Sequence, residues 1–422
     1  MKKLVLINSP IQIYSRDKKP DYFTTAPIGL GYLATIASKA GYDVDIVDAE
    51  AEKLSPEEII ERVSRLRPSV LGINAFSTNH ELALDILARS PADYRIVGGP
   101  HATLKGDTLQ GEFTVVKGEA ESVFLDVLKN RPKGVVTSGV VENLDTLPYI
   151  DRQFFVNDPY VLGDGRREAS INSARGCQFS CAYCSVPTVN GKRMRSRSID
   201  NVIGEIEELA SSGVQSVHFT DDLFNFTKER VMEFTQAMSN RCPNSTWRSL
   251  CRVENLDEGL LERMKESGCY RIAVGVESAT PRILKYIGKS QDTARTKTLF
   301  DVCKSLGIET KAFFTIGYPS ETAEEIERTV DFAMELNPTE ARFMVVRAFP
   351  GTRLYEDMKK AGNVDLDKYA QSTIEKPYVK YHVMNVQSLN GMSQEVLDEY
   401  IKEAYRRFSM LKGGKHESIP SV

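Results

Sequence analysis

The sequence predicts an α/β protein made of two successive strand–helix series, with a mainly helical extension at its carboxyl end. Three observations predict it. Short apolar runs alternate with helix-period segments over residues 1–135, the pattern of a doubly wound, Rossmann-like parallel sheet. The alternation resumes after residue 168 and yields six further strands. A chain of 422 residues also exceeds one ordinary hydrophobic core. The expected boundaries are 1–135 for the first domain, 136–168 for a linker, 169–352 for the second domain and 353–422 for the extension.

In the first series, Leu4 to Asn8 ends at Ser9-Pro10 and reads as a strand buried on both faces. The loop from Ile11 to Ala26 is long and polar, a kind that often carries function. Pro27 opens a helix that stops at Ala40-Gly41, and Val44 to Asp48 is the second strand. Ser55-Pro56-Glu57-Glu58 is a capping box, with Ile59, Val63 and Leu66 on one face of its helix. Strands follow at Val70–Asn74, Tyr94–Val97 and Thr114–Val116, with a helix at Glu81–Ala88. The segments after these strands, containing Ser77 and Thr78, Gly98-Gly99 with His101, and Gly118-Glu119, sit where open α/β sheets bind ligands. No G-x-G-x-x-G follows the first strand, so a nicotinamide dinucleotide site is unsupported. His80 reads as a capping or surface histidine; His101 reads equally as a ligand contact or as packing beside the glycines.

Residues 136–168 carry no sustained period. The second series has strands at Ala169–Ala174, Gln215–Phe219, Thr246–Val253, Arg271–Val276, Lys311–Ile316 and Arg342–Arg347, with helices at Leu256–Glu266 and Glu321–Leu336 among those between them. In the extension, Asn363 to Leu389 lacks a period, and Ser393 to Leu411 is an amphipathic helix with Val396, Tyr400, Ala404 and Phe408 or Leu411 inward.

The most specific stretch is Arg175-Gly176-Cys177-Gln178-Phe179-Ser180-Cys181-Ala182-Tyr183-Cys184. Three thiols at C-x3-C-x2-C spacing follow the first strand of the second series, where a short loop can turn all three sulfurs to one point. Soft thiolates suit Zn(II) or an iron–sulfur cluster, and a closed zinc site wants a fourth protein ligand that this loop does not offer. The other four cysteines, Cys242, Cys251, Cys269 and Cys303, are isolated and read as small buried hydrophobes.

This loop, with an aromatic residue directly before its third cysteine, resembles the signature of the radical S-adenosylmethionine (SAM) superfamily. The resemblance implies a partial (β/α)6 barrel and a [4Fe–4S] cluster on Cys177, Cys181 and Cys184, whose open iron is chelated by SAM. It places SAM contacts at Tyr183, at Asp221 and Asp222, at Arg252 for the carboxylate, at Glu277 and Ser278 for the ribose, and at Gly317 for the adenine. In the first domain, P-x-G-L-x-Y-L-A, G-G-P-H-A-T and V-V-K-G-E-A-E look like the cobalamin-binding domain that precedes many radical SAM proteins. That implies cobalamin contacts at Ser77, Thr78, Gly98, Gly99, His101, Gly118 and Glu119. The D-x-H-x-x-G that supplies a lower axial histidine is missing, since Ser15 to Pro20 contains no histidine. The resemblance therefore implies a base-off cofactor.

The activity implied is that of a class B-type radical SAM methyltransferase, which methylates an unactivated carbon or phosphorus of a small-molecule or peptide substrate. A deoxyadenosyl radical abstracts substrate hydrogen and methylcobalamin supplies the methyl group, with electrons from an external donor such as flavodoxin or ferredoxin. One alternative is a radical SAM cyclisation, rearrangement or redox reaction. From another class comes a non-enzymatic corrinoid- and metal-binding sensor. No cysteine precedes Cys177 or follows Cys303, which argues against auxiliary clusters and sulfur insertion. Tyr378, Tyr381 and His382 are candidate substrate contacts. A net charge of −4 gives no nucleic-acid footprint, no run is long enough to span a membrane, and the amino terminus is too short in apolar residues for a signal peptide. Seven cysteines without a disulfide pattern point to a reducing compartment, and the expected location is cytoplasmic.

Overall fold

The structure, a computed structural model, describes residues 2–10, 25–109, 111–156, 160–362 and 391–413. Most of the Ile11–Ala26 loop, and Tyr378, Tyr381 and His382, lie outside the described residues. The chain divides into two units, one built on Met1–Ser170 with Thr188–Gly191 and the other on the remaining described residues from Ile171 onward. Among the described residues no helix is long and apolar enough to cross a membrane.

The first unit runs β1 (Lys3–Asn8), α1 (Ile28–Lys39), β2 (Asp43–Asp48), α2 (Pro56–Leu66), β3 (Val70–Asn74), α3 (His80–Arg89), β4 (Tyr94–Gly98), α4 (Pro100–Lys105), β5 (Thr114–Lys117), α5 (Phe124–Asn130) and β6 (Gly134–Thr137). Its sheet is parallel in the order β2-β1-β3-β4-β5-β6. The order reverses at β1, which opens a crevice at the carboxyl ends of β1 and β3. β1 is apolar from Leu4 to Ile7 because both faces are covered: Leu4 and Leu6 enter one core, Val5 and Ile7 the other. Ser55 and Glu58 close the expected capping box at α2, and Arg67 ends that helix in the left-handed region just before Pro68.

Residues 136–168 are not a bare linker. Their start completes β6, and Ile150, Phe155 and Tyr160 are buried in the first unit's core. They escaped sequence reading because they flank isolated 3₁₀ turns, which impose neither a 3.6- nor a 2-residue repeat. Gly31 in α1 reflects the same packing, since a Cβ there would stand 2.5 Å from the Phe155 ring.

The second series runs β7 (Glu168–Ile171), β8 (Ala174–Arg175), α6 (Val186–Val189), β9 (Arg195–Ser196), α7 (Ile199–Ser211), β10 (Ser216–Phe219), α8 (Lys228–Arg241), β11 (Thr246–Cys251), α9 (Glu258–Glu266), β12 (Cys269–Glu277), α10 (Pro281–Ile287), α11 (Thr293–Leu306), β13 (Glu309–Ile316), α12 (Ala323–Leu336), β14 (Glu340–Val345) and α13 (Arg353–Lys360). Six strands lie in chain order, β7-β10-β11-β12-β13-β14, with β7 and β14 at the edges. That is the expected partial barrel. The chain's one tryptophan, Trp247 on β11, is fully buried and packs edge-on against Phe219 and Phe234 with ring centroids 6.0 and 5.2 Å away.

The basic run Lys192 to Arg197 is solvated only in part, because Arg195 and Arg197 are buried. Arg197 pairs with buried Glu205 at 2.5 Å and donates to the Asn172 carbonyl at 2.9 Å, which pins the segment returning from the cysteine loop. The helix Gln394–Leu411 buries Leu397, Ile401, Ala404 and Phe408, leaving Val396 and Leu411 exposed. A stripe stepped by four residues drifts about 40° per step around a 3.6-residue turn, and the 4-3-4 stripe stays on one face.

Because Phe234 fills the space between α8 and Trp247, Phe234→Ala is expected to destabilise the second unit by about 3–5 kcal/mol. The unfolding midpoint read from Trp247 fluorescence checks it.

Candidate active site and cofactor loops

The cysteine loop leaves β7 and is pinched at its neck by the two-residue antiparallel ribbon of β8 and β9. Gly176 sits at φ 90°, a left-handed turn, and its N–H donates to Asp222 Oδ2 at 2.9 Å. Asp221 accepts from the Ser173 N–H at 2.6 Å and the Ser173 hydroxyl at 2.5 Å. Burial pushes the Asp221 carboxyl up to about 6, against the pull of these donors. Farther along, the Ala182 N–H donates to the Ile287 carbonyl at 2.9 Å and the Ala182 carbonyl accepts from the Leu354 N–H at 2.8 Å. The Asp pair thus secures the loop's backbone. It does not cap the next helix, whose cap is Thr227.

Cys177, Cys181 and Cys184 are partly exposed, while the other four cysteines are buried, as the sequence suggested. Burial, aided by Cys181 and Cys177, pushes Cys184 up to about 12, and burial raises Cys177 as well. A bound metal would hold these two as thiolates against that cost. Among the described residues no three His, Cys, Asp or Glu side chains converge on one ion position. A cluster asks for less, since each thiolate meets its own iron.

Arg252 lies beyond β11 with its guanidinium 3.7 Å from the centre of the Phe179 ring. It donates to Cys181 Sγ at 3.2 Å and to Glu254 Oε1 at 2.5 Å. Its ion pair therefore lies within the second unit, two residues along the chain. Glu277, at the end of β12, holds a strained φ of 67°. Its Oε1 accepts from Tyr183 Oη at 2.7 Å and Lys289 Nζ at 2.9 Å, and its Oε2 from Thr315 Oγ1 at 2.9 Å. An ionised carboxylate takes about four donors, so Oε2 retains capacity for one more. The Ser278 hydroxyl is buried, 3.2 Å from Thr329 Oγ1 on α12. Gly317 has φ 87° and donates its N–H to Glu321 Oε2 at 2.6 Å; burial pushes Glu321 up to about 7. Lys289, Phe179, Glu254 and Glu321 were missed in the sequence. Lys289 lies 12 residues beyond Glu277, past α10, so no local spacing linked the two.

In the first unit, Gly99 at φ 95° brings the backbone so close to Ala75 that a Cβ would lie 3.0 Å from its N and O. Gly118 is similarly tight, with Ser138 O at 2.6 Å from such a Cβ, whereas beside Gly98 nothing comes nearer than 3.9 Å. Ser77 Oγ lies 3.1 Å from His101 Nδ1, and the rings of His101 and His80 stack with centroids 3.9 Å apart. His80 is thus a packing partner rather than a cap. Thr78 is half-buried at the start of the same loop, and Glu119 spends Oε2 on the Val141 N–H at 2.6 Å. The polar, glycine-lined edge at the carboxyl ends of β3, β4 and β5 suits a large planar ligand lying over backbone.

Residues 171–333 match the radical SAM superfamily, and residues 21–128 match the B12 binding domain. Over 382 residues the chain is 30% identical to an uncharacterised methyltransferase of Pyrococcus horikoshii, covering 84% of this chain and 82% of that protein. The chain belongs to the radical SAM superfamily. This radical SAM protein is also 26% identical over 457 residues to the cytidylyl-2-hydroxyethylphosphonate methyltransferase of Streptomyces wedmorensis, covering 86% of this chain and 83% of that one. In fold it is similar to the radical SAM methyltransferase TsrM of Kitasatospora setae, with TM-score 0.66, 20% identity, and 86% and 77% of the two chains covered. As a radical SAM enzyme with a B12-binding domain, it takes a [4Fe–4S] cluster, SAM and cobalamin as cofactors.

Burial, and then the charges of His80 and Lys105, push His101 down to about 3. An unfolded histidine titrates near 6.5, so the stability from keeping His101 neutral is full above that value and is lost as pH falls toward about 3. At pH about 5 the loss from this residue is about 2 kcal/mol. His101→Gln is expected to show a smaller drop in denaturation midpoint than wild type between pH about 7.5 and about 5.

Proposed function

We propose that this protein is a cobalamin-dependent radical SAM methyltransferase, acting on an unactivated carbon or phosphorus of a small-molecule or peptide substrate. The observation that carries the reading is one chain joining a braced three-cysteine loop at the mouth of a partial barrel to a B12-binding domain. Its likeness to methyltransferases along most of its length supports methyl transfer over a bare radical rearrangement.

Cys177, Cys181 and Cys184 hold the cluster. Tyr183, Asp221, Asp222, Glu277, Ser278 and Gly317 form the SAM side of the site, and Arg252 stands beside Cys181. Within that set the two aspartates act through the loop they brace, and Glu277 keeps Oε2 available to a ribose hydroxyl. Gly317 takes a left-handed turn at φ 87° where a side chain would also press on Leu397, 3.1 Å from a Cβ. Ser77, Thr78, Gly98, Gly99, His101, Gly118 and Glu119 border the corrinoid, with neutral His101 positioned by Ser77. Bound together, these cofactors supply a deoxyadenosyl radical to abstract substrate hydrogen and a transferable methyl group. Electrons come from an external donor such as flavodoxin or ferredoxin.

The test is anaerobic reconstitution of the full chain with iron, sulfide and hydroxocobalamin, then desalting and addition of SAM with a strong reductant. About four irons and one corrinoid per chain, with deoxyadenosine released, are expected. Labelled SAM should then pass its methyl group to an accepted substrate. Loss of all corrinoid on desalting, with SAM cleavage intact, would reject methyl transfer in favour of another radical reaction. Cys181→Ala should abolish both the cluster's visible absorbance and deoxyadenosine formation.

A further inference from the structure

Arg252 was expected to meet the SAM carboxylate, yet its guanidinium is committed on three sides within the protein. One nitrogen donates to Cys181 Sγ at 3.2 Å, another to Glu254 at 2.5 Å, and its plane lies 3.7 Å from the centre of Phe179. Its backbone is clamped as well. The Arg252 N–H donates to Asn225 Oδ1 at 2.9 Å, and the Arg252 carbonyl accepts from Asn225 Nδ2 at 2.8 Å. Asn225 is fully buried and Arg252 is 8% exposed. An arginine that only had to reach a diffusing ligand would not need its main chain, its guanidinium face and all three of its side-chain nitrogens fixed. These contacts hold one N–H on one sulfur.

We propose that Arg252 tunes the reduction potential of the cluster through Cys181, with Glu254 setting how much of its positive charge the cluster feels. The inference rests on the cluster being held by Cys177, Cys181 and Cys184. Reduction adds one electron, drawn from the external donor, and therefore one negative charge shared between iron, sulfide and the three thiolates. A charged N–H···S hydrogen bond stabilises the more negative form and raises the potential. Glu254, 17% exposed at its side chain, offsets part of that field and keeps the fork oriented. Phe179 excludes water from the guanidinium face, so the effect is little screened.

The test is an anaerobic redox titration of the reconstituted full-length protein without SAM, followed by electron paramagnetic resonance of the reduced cluster. Wild type is compared with Arg252→Gln, Arg252→Lys and Glu254→Gln. At a fixed poise, Arg252→Gln should lower the reduced-to-oxidised ratio about tenfold, equivalent to about 59 mV for a one-electron couple. Arg252→Lys should fall between it and wild type, and Glu254→Gln should shift the ratio upward. If Arg252→Gln fails to assemble a cluster, the opposite shifts of Arg252→Lys and Glu254→Gln decide. Unchanged potentials in fully loaded variants overturn the proposal, as does weaker SAM binding by Arg252→Gln with an unchanged potential, which would return this residue to the SAM carboxylate. A wild-type chain that builds no [4Fe–4S] cluster would instead overturn the site assignment beneath it, a result visible before any variant is compared.

Discussion

Two carboxylates gripping main-chain N–H groups are the constraint on which the second unit depends. Asp221 holds Ser173 and Asp222 holds Gly176, so the segment between β7 and Cys177 has one path. Three thiols serve one cluster only if the loop that carries them is fixed to within a fraction of an ångström, and a loop of that length has no regular structure to fix it. The remaining ties come from far along the chain. Ile287 and Leu354 bond the backbone of Ala182, and the β8–β9 ribbon closes the neck. Cluster geometry is thus a property of the folded unit rather than of the C-x3-C-x2-C segment.

The two units organise polar groups differently at their functional edges. In the second, charge is buried in pairs: Arg252 with Glu254, Lys289 with Glu277, and Arg197 with Glu205. Desolvating such pairs costs free energy, and each is held by further hydrogen bonds that make removal of one partner worse than the pair itself. The first unit instead gathers neutral donors around one buried carboxylate. Asp48 accepts from Asn8 at 2.7 Å, Asn8 from Asn74 at 2.8 Å, and Asn79 donates to Ser9 at 2.9 Å, in a polar chain crossing the ends of β2, β1 and β3. Beside it burial lowers both stacked histidines. A floor made mostly of amides suits a ligand bound mainly by shape and backbone contact.

The sequence by itself determined the covered strands, because a parallel strand buried on both faces must be apolar over its core length, as Leu4 to Ile7 are; the largely exposed edge strand β6 carried no such signal. It determined α2 through Ser55 and Glu58, whose capping partners lie within one turn. It also singled out Cys177, Cys181 and Cys184 as the proposed cluster ligands, since three thiols in an eight-residue span have few other uses. Tertiary structure alone decided what the intervening polar residues do. Arg252 and Cys181 are 71 positions apart and Asp222 and Gly176 are 46 apart, and no local period encodes a partner at such range. It likewise decided that Ile150, Phe155 and Tyr160 belong to the first core and that Leu397, not Val396, faces inward. Periodicity reports what repeats within a few residues of itself; a contact made by chain reversal leaves no such trace, so those assignments waited on the fold.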